Sequence, residues 1–145
     1  MTQTNDLITL INCAREDANL APLKLNASLT RAAIMQSLHM YNTATLSHSG
    51  SNDSSFADRI SSEQYIFCEA AENIAFCQFP AVNTFDLWMQ SKPHRGNILN
   101  PAFVDIGIGL APREVDNNEN AKYYWTITLG APLHFEDIEE AEDLG

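Results

Sequence analysis

Basic residues are scarce in this sequence: eight Lys and Arg stand against nineteen Asp and Glu, a formal net charge of −11 over 145 residues. Nucleic-acid binding draws its affinity from Lys and Arg that displace counterions from phosphates, so this balance excludes a nucleic-acid partner and favours a cationic ligand. Much of the excess is local. Glu136, Asp137, Glu139, Glu140, Glu142 and Asp143 crowd the carboxyl end with no Lys or Arg among them. Blocks of like charge repel and seldom pack, so residues 134–145 are expected to form a solvated, disordered tail beside a single domain over residues 5–133.

Long apolar runs are also missing. Nothing approaches the ~20 residues that cross a bilayer, so no transmembrane segment is expected. The polar start Met1-Thr2-Gln3-Thr4 has no signal-peptide character. The sequence alone therefore allows a cytoplasmic protein or an exported one whose signal has been removed. Cysteine is sparse as well: Cys13, Cys68 and Cys77 make an odd count without a Cys-x-x-Cys, which excludes a zinc cluster built from thiolates. Cys68 and Cys77 flank a short apolar segment and can form a disulfide if the protein is exported. Cys13, on the first expected helix, reads as a small buried hydrophobe.

What is present is ordinary for a globular fold, with 45% apolar and 19% charged residues. Leu7, Ile8, Leu10, Ile11, Ala14 and Ala18 recur near a 3.6-residue period, predicting a helix from residue 5 to about 18, capped by Thr4 or Asn5. Leu23-Lys24-Leu25 is a short extended link. Asn26 or Ser28 then opens a helix to about Tyr41, with Leu29, Ala32, Ala33, Gln36 and Met40 on a face where another element can approach closely. His39 lies within it and reads as structural or exposed. Residues 42–55 are almost wholly polar, and His48, taken alone, reads as an exposed loop histidine. Phe56-Ala57-Asp58-Arg59-Ile60 forms a helical turn capped by Ser54 or Ser55.

Residues 65–79 are apolar except for Glu69, Glu72 and Asn73. A carboxylate among Ala70, Ala71, Ile74, Ala75 and Phe76 is costly to bury alone, so Glu72 needs a partner. A helix over residues 81–90 presents Ala81, Val82, Phe85, Trp88 and Met89 on one apolar face, with Trp88 as a core anchor. Val104, Ile106, Ile108 and Leu110 alternate with Asp105, Gly107 and Gly109, predicting a strand whose second face is nearly bare. After a turn at residues 116–120, Tyr123, Trp125, Ile127 and Leu129 alternate through a return strand, giving a long-looped antiparallel pair. Helices first and strands later indicate an α+β layered domain.

The stretch from Trp88 to Pro101 stands apart. Pro93 is expected to end the preceding helix and leave His94 just beyond its carboxyl end, where the helix carbonyls favour a protonated imidazole. A polar cluster, His94-Arg95-Gly96-Asn97, is held between two prolines.

Taken in order, Leu46-Ser47-His48-Ser49-Gly50, Ala71-Glu72-Asn73-Ile74-Ala75, Trp88-Met89-x-Ser91-x-Pro93-His94-Arg95-x-Asn97-Ile98-Leu99, Ile106-Gly107-Ile108-Gly109 and Tyr124-Trp125-Thr126 resemble the CAP superfamily. That family comprises cysteine-rich secretory proteins, antigen 5 and pathogenesis-related proteins, and the resemblance is to its bacterial-type branch, from about Leu7 to Gly130. It implies a three-layer α-β-α sandwich with a central, mainly antiparallel sheet, and secretion or a periplasmic location. It also implies a cleft where two histidines and two glutamates converge, with His48, Glu72 and His94 matching three of the four places. Ser91 stands where the family's second glutamate would be. Thr126-Ile127-Thr128 replaces the family's frequent Thr-Gln.

Four readings follow from the resemblance. His48, Glu72 and His94 can bind zinc or another divalent metal with water in an open position. Alternatively, Glu72 orients a histidine within a purely structural cluster, while Asn73, Ser91, Arg95 and Asn97 support the cleft. An enzymatic alternative makes Ser91 a nucleophile, His94 its base and Glu72 the orienting group, although no Gly-x-Ser-x-Gly elbow is present. A further alternative is a sterol or fatty-acid carrier lined by Phe76, Phe79, Phe85 and Met89. The expectation carried forward is a binding or interaction module for a small-molecule, lipid or protein ligand.

Overall fold

The computed structural model of the chain describes residues 2–113 and 120–134. The expected acidic tail from residue 135 onward lies outside the described residues, as does the 116–120 turn except for Asn120. The first three α-helices begin where a capping side chain takes up an amide group that the first turn leaves unpaired. Helix α1 (Gln3–Asp17) starts earlier than its periodicity suggested, because the Thr2 hydroxyl accepts from the Asn5 N–H at 3.2 Å. Helix α2 (Ala27–Thr43) is capped by Asn26, which accepts from Leu29 N–H at 3.0 Å. Helix α3 (Phe56–Ser62) opens on a reciprocal capping box between Ser55 and Asp58. Helix α4 (Ala81–Met89) brings Trp88 into the core, where it is fully buried.

One expectation at this point is overturned. Pro93 does not leave His94 at the end of a helix; it lies in the first turn of a new one, α5 (Lys92–Ile98), where its missing N–H breaks no hydrogen bond. Ser91, in extended conformation, is the hinge residue between the two helices.

Four strands form one sheet in the order β1-β3-β4-β2, with β1 (Lys24–Leu25) parallel to β3 (Asp105–Ala111) and the other pairings antiparallel. Strand β4 (Lys122–Pro132) is central and pairs with β2 (Phe67–Gln78) along almost its whole length. The fold is thus α+β with a mainly antiparallel sheet. Both cysteine expectations fail. Cys68 and Cys77 sit on the single strand β2, nine positions apart, or about 30 Å at ~3.3 Å per residue. A disulfide tolerates at most about 7 Å between Cα atoms, and both thiols are free. Cys13 is exposed, because Leu7 and Ile11 rather than position 13 mark the buried side of α1.

Alternation along β3 and β4 sends residues to two different layers. Ile106, Ile108, Trp125, Ile127 and Leu129 meet Leu7 and Ile11 of α1 and Ala81 and Trp88 of α4 in the main core. On the other face lies α2. Gly107 and Gly109 make room for it: a Cβ at Gly107 would fall on the backbone of Leu29 and Thr30, and one at Gly109 on the backbone of Ala33 and Ile34. Two hydroxyls fasten the contact, Thr128 Oγ1 donating to Leu29 O at 2.7 Å and Thr126 Oγ1 sharing a 2.8 Å hydrogen bond with Ser37 Oγ. Arg15, buried at 1% exposure, ties α1 to the chain that follows α5. Its guanidinium donates to Ala21 O, Ile98 O, Asn100 O and Phe103 O at 2.8–3.1 Å. Carbonyls at a helix carboxyl end are suited to a cation, so this buried arginine is compensated without a carboxylate.

Gly107→Val is expected to destabilise the fold by more than about 1 kcal/mol, since the obstructing atoms are backbone and cannot turn aside. Gly96→Ala is the matched control: nothing lies within 4 Å of a Cβ at that helical position. Thermal melting should show a clear loss for the first variant and no loss for the second.

Candidate functional site

Strand β2 is an edge of the sheet, and the candidate residues gather on either side of that edge. Glu72 projects toward the α2 and α3 layer; Asn73, next along the strand, projects the opposite way, toward α5. His48 reaches the site from the loop after α2. Gln36 of that helix pins the loop, its Nε2 donating to Ser47 O at 2.6 Å and Ser49 O at 3.2 Å. His94 approaches from the first turns of α5.

The centre of the cluster is the carboxylate of Glu72, whose side chain has no solvent exposure. Its Oε1 lies 2.9 Å from His48 Nδ1, and its Oε2 accepts from Arg59 Nη2 at 2.7 Å. An ionised carboxylate only accepts, so the His48 proton belongs on Nδ1 and Nε2 is left bare. The His48 side chain remains 55% exposed. Arg59 is itself buried to 2% and holds more than the carboxylate. Nη2 also donates to His48 O at 3.1 Å and Nη1 to Ser54 O at 2.8 Å, so one guanidinium fixes both ends of the 48–54 loop. Gly50 is needed where that loop crosses, because a Cβ there would collide with Arg59 Nη1, Gln36 Oε1 and Ser54 Oγ.

Across the edge, His94 Nδ1 is 2.9 Å from Ser91 Oγ. The backbone of α5 is tied to β2 by Asn73, whose Nδ2 donates to His94 O at 3.0 Å while its Oδ1 accepts from Asn97 Nδ2 at 2.9 Å. Arg95 Nη1 donates to Met89 O at 2.9 Å and so joins α5 back to α4. Trp88 Nε1 closes the edge by donating to Ile74 O at 2.9 Å. The His94 pKa is lowered, first by burial and then by the charge of His48, which places the two imidazoles within electrostatic reach of each other. This reverses the expectation of a favoured imidazolium. His94 stands at the amino end of one helix rather than the carboxyl end of another, and the site is partly desolvated.

The structure therefore gathers His48, Glu72, His94, Ser91, Asn73, Arg95 and Asn97 around one stretch of β2. It does not join them as a catalytic relay. Ser91 and His94 are hydrogen-bonded, while Glu72 bonds to His48 and Arg59 and, among the described residues, not to His94. Among the described residues, no three His, Cys, Asp or Glu side chains form a group that could hold a metal ion. The aromatic candidates divide as well. Phe79, Phe85 and Met89 pack on the main core, whereas Phe76 stacks on Tyr124, which belongs to the α2 side of the sheet, with ring centroids 4.3 Å apart. They line no common groove.

Arg59 is the residue that sequence reasoning missed. A signal existed: Glu72 required a partner, and Arg59 is the sole Lys or Arg between Arg31 and Lys92. Removing one member of a buried pair leaves the other charge uncompensated, at a cost of about 3–5 kcal/mol, whereas removing both charges costs much less. Arg59→Met is accordingly expected to lose several kcal/mol in denaturant unfolding. Adding Glu72→Gln to that variant should restore part of the loss, and a further, additive loss would contradict the pairing.

Comparison with known proteins bears on the family and the fold. Residues 8–129 match the model of the cysteine-rich secretory protein family, CAP. An uncharacterized protein of Bacillus subtilis, YkwD, is 33% identical over 103 residues, covering 71% of this chain and 40% of that relative. Among solved structures, an extracellular protein containing an SCP domain from Bacillus anthracis is similar at a TM-score of 0.73 and 27% identity, covering 87% of this chain and 39% of the other. An outer surface protein of Borrelia burgdorferi shares the fold at a TM-score of 0.78 and 18% identity, covering 90% and 93% of the two chains. The chain thus spans less than half the length of the two Bacillus relatives. Since the family model covers nearly every element from α1 to β4, including both flanks of the β2 edge, this protein belongs to the CAP family of cysteine-rich secretory proteins.

Proposed function

We propose that this CAP domain is an exported binding module whose cleft takes a divalent transition-metal ion through the Nε2 atoms of His48 and His94. The observation that carries this reading is the shared orientation of the two rings. Each engages its Nδ1 with a neighbour, Glu72 Oε1 for His48 and Ser91 Oγ for His94, and neither Nε2 has a hydrogen-bond partner among the described residues. Metal-binding histidines characteristically hold the other ring nitrogen in a hydrogen bond to a carboxylate or another acceptor, which fixes tautomer and direction. Glu72 then acts as an orienting group rather than a ligand, consistent with its buried side chain and its bonds to His48 and Arg59. In this reading the Ser91 hydroxyl accepts from His94 Nδ1 and serves that ring in the same way.

Two imidazoles suit zinc or copper, which favour nitrogen, over calcium or magnesium, which favour oxygen. Such an ion would act as a Lewis acid toward a ligand in its open positions. With two protein ligands rather than the four of a closed structural site, affinity on the order of micromolar is expected. The similar Bacillus anthracis protein, which is extracellular, supports export.

Calorimetric titration with zinc tests the reading. Binding is expected for the parent and for His39→Ala, on α2 outside the site, but not for His48→Ala or His94→Ala. Affinity should fall with acid, because protons compete for neutral imidazole, and the lowered pKa of His94 sets its part of that loss below the ordinary histidine range. Zinc binding by His94→Ala equal to that of the parent would contradict the proposal and leave the polar cluster a structural one.

A further inference from the structure

Helix α2 covers one face of the sheet, and nothing among the described residues covers α2. Its sheet-facing residues are Leu29, Ala32, Ala33, Gln36, Ser37 and Met40, all buried. The opposite side carries Ile34, Met35, Leu38 and Tyr41, which are 40%, 41%, 46% and 48% exposed. Ile34, Leu38 and Tyr41 fall at i, i+4 and i+7, so they form one stripe along the helix. Scattered exposed apolar residues need no explanation, but a stripe of three large ones on a single helix, flanked by a fourth at Met35, marks an interaction surface.

Charge identifies the occupant. The chain carries nineteen Asp and Glu, yet none occurs between Asp17 and Asp53, so the whole of α2 and both of its flanks are free of acid. The one cation on the helix, Arg31, is paired with Glu63 at 2.7 Å. The stripe is therefore neutral as well as apolar. A neutral face has no complement to offer an anionic membrane or a strongly charged protein, and the chain's net charge of −11 opposes an anionic surface outright. Two copies of this chain, each with a net charge of −11, repel overall, and a face free of acid is where they can meet without opposing like charges. A two-fold contact sets a patch against itself, which requires such self-complementarity.

We infer that the outer face of α2 is a self-association surface, on which Ile34, Leu38 and Tyr41 of one copy pack against the same residues of a second. The helix is about 26 Å long at ~1.5 Å per residue. A surface that narrow is smaller than the ~800 Å² per partner of a standard stable interface, so the dimer is a concentration-dependent equilibrium rather than an obligate state. Because the contact is apolar and the rest of the surface repels, added salt should strengthen it, the opposite of its effect on a contact made by ion pairs.

Sedimentation velocity on the full chain, from low to high micromolar concentration and at low and moderate salt, provides the test. The parent should shift from monomer toward dimer with concentration, and more readily as salt is added. Leu38→Glu should remain monomeric with an unchanged melting curve, since position 38 is exposed. Leu87→Glu, which alters a 49% exposed leucine on α4 in the opposite layer, should dimerise as the parent does. Should Leu38→Glu fail to fold, Tyr41→Ser tests the same contact. A parent that stays monomeric throughout, or a dimer indifferent to both α2 variants, would overturn the inference. So would binding of anionic phospholipid vesicles by a protein that does not self-associate.

Discussion

A carboxylate buried at the edge of the sheet is the constraint on which the rest of this site depends. Glu72 has no exposed side-chain surface, and an isolated charge in that position would cost more than a small domain can supply. Each of its oxygens therefore selects a neighbour. Oε2 calls for a buried cation, which fixes α3 through Arg59; Oε1 calls for a donor, which turns the exposed ring of His48 into a defined direction. Once Arg59 is held, its Nη1 and Nη2 groups organise the 48–54 loop, so a single ion pair positions a polar segment that has little apolar content of its own. A buried pair of this kind is weak grounds for added stability, and its significance here is geometric.

The second determinant is how closely α2 lies on the sheet. Glycines at 107 and 109 remove the side chains that would hold the helix away, and Ala32 and Ala33 keep the helix side of the contact small. Gln36, one turn further on, is thereby brought to the depth at which it can hold Ser47 and Ser49. On the other side of β2, Asn73 and Arg15 tie α5 down from its amino and carboxyl ends. The two histidines are thus set by different layers of the sandwich, and the cleft is the seam between them.

Much of this was legible in the chain because periodicity reports burial directly. Strands β3 and β4 alternate cleanly, the bare Gly107 and Gly109 face announced a close neighbour, and the need of Glu72 for a partner followed from its apolar surroundings. Strand β2 was not legible. Its Ala70, Ala71, Ala75, Glu69 and Glu72 have little strand propensity, and it is fixed by pairing with β4 rather than by local preference. Helix α5 was hidden for a different reason: a proline ends one helix or begins the next, and residues 91–93 allow both. That ambiguity reversed the electrostatics expected of His94. The disulfide expectation failed because residues 68–77 were not recognised as one extended strand, and the Cys13 expectation because that position lies off the buried side of α1. The family motifs supplied the convergence of His48, Glu72 and His94, which no spacing could have shown. They did not supply Arg59.

The direction of the His48 ring is the claim on which the functional account rests, and its tautomer can be observed. Imidazole nitrogen chemical shifts of the neutral ring, recorded by NMR above the histidine titration range, distinguish the nitrogen that carries the proton from the one that does not. The account requires the proton on Nδ1, held toward Glu72, with a bare Nε2 facing the cleft. A proton resident on Nε2, or the rapid averaging of both forms typical of a free side chain, would contradict it.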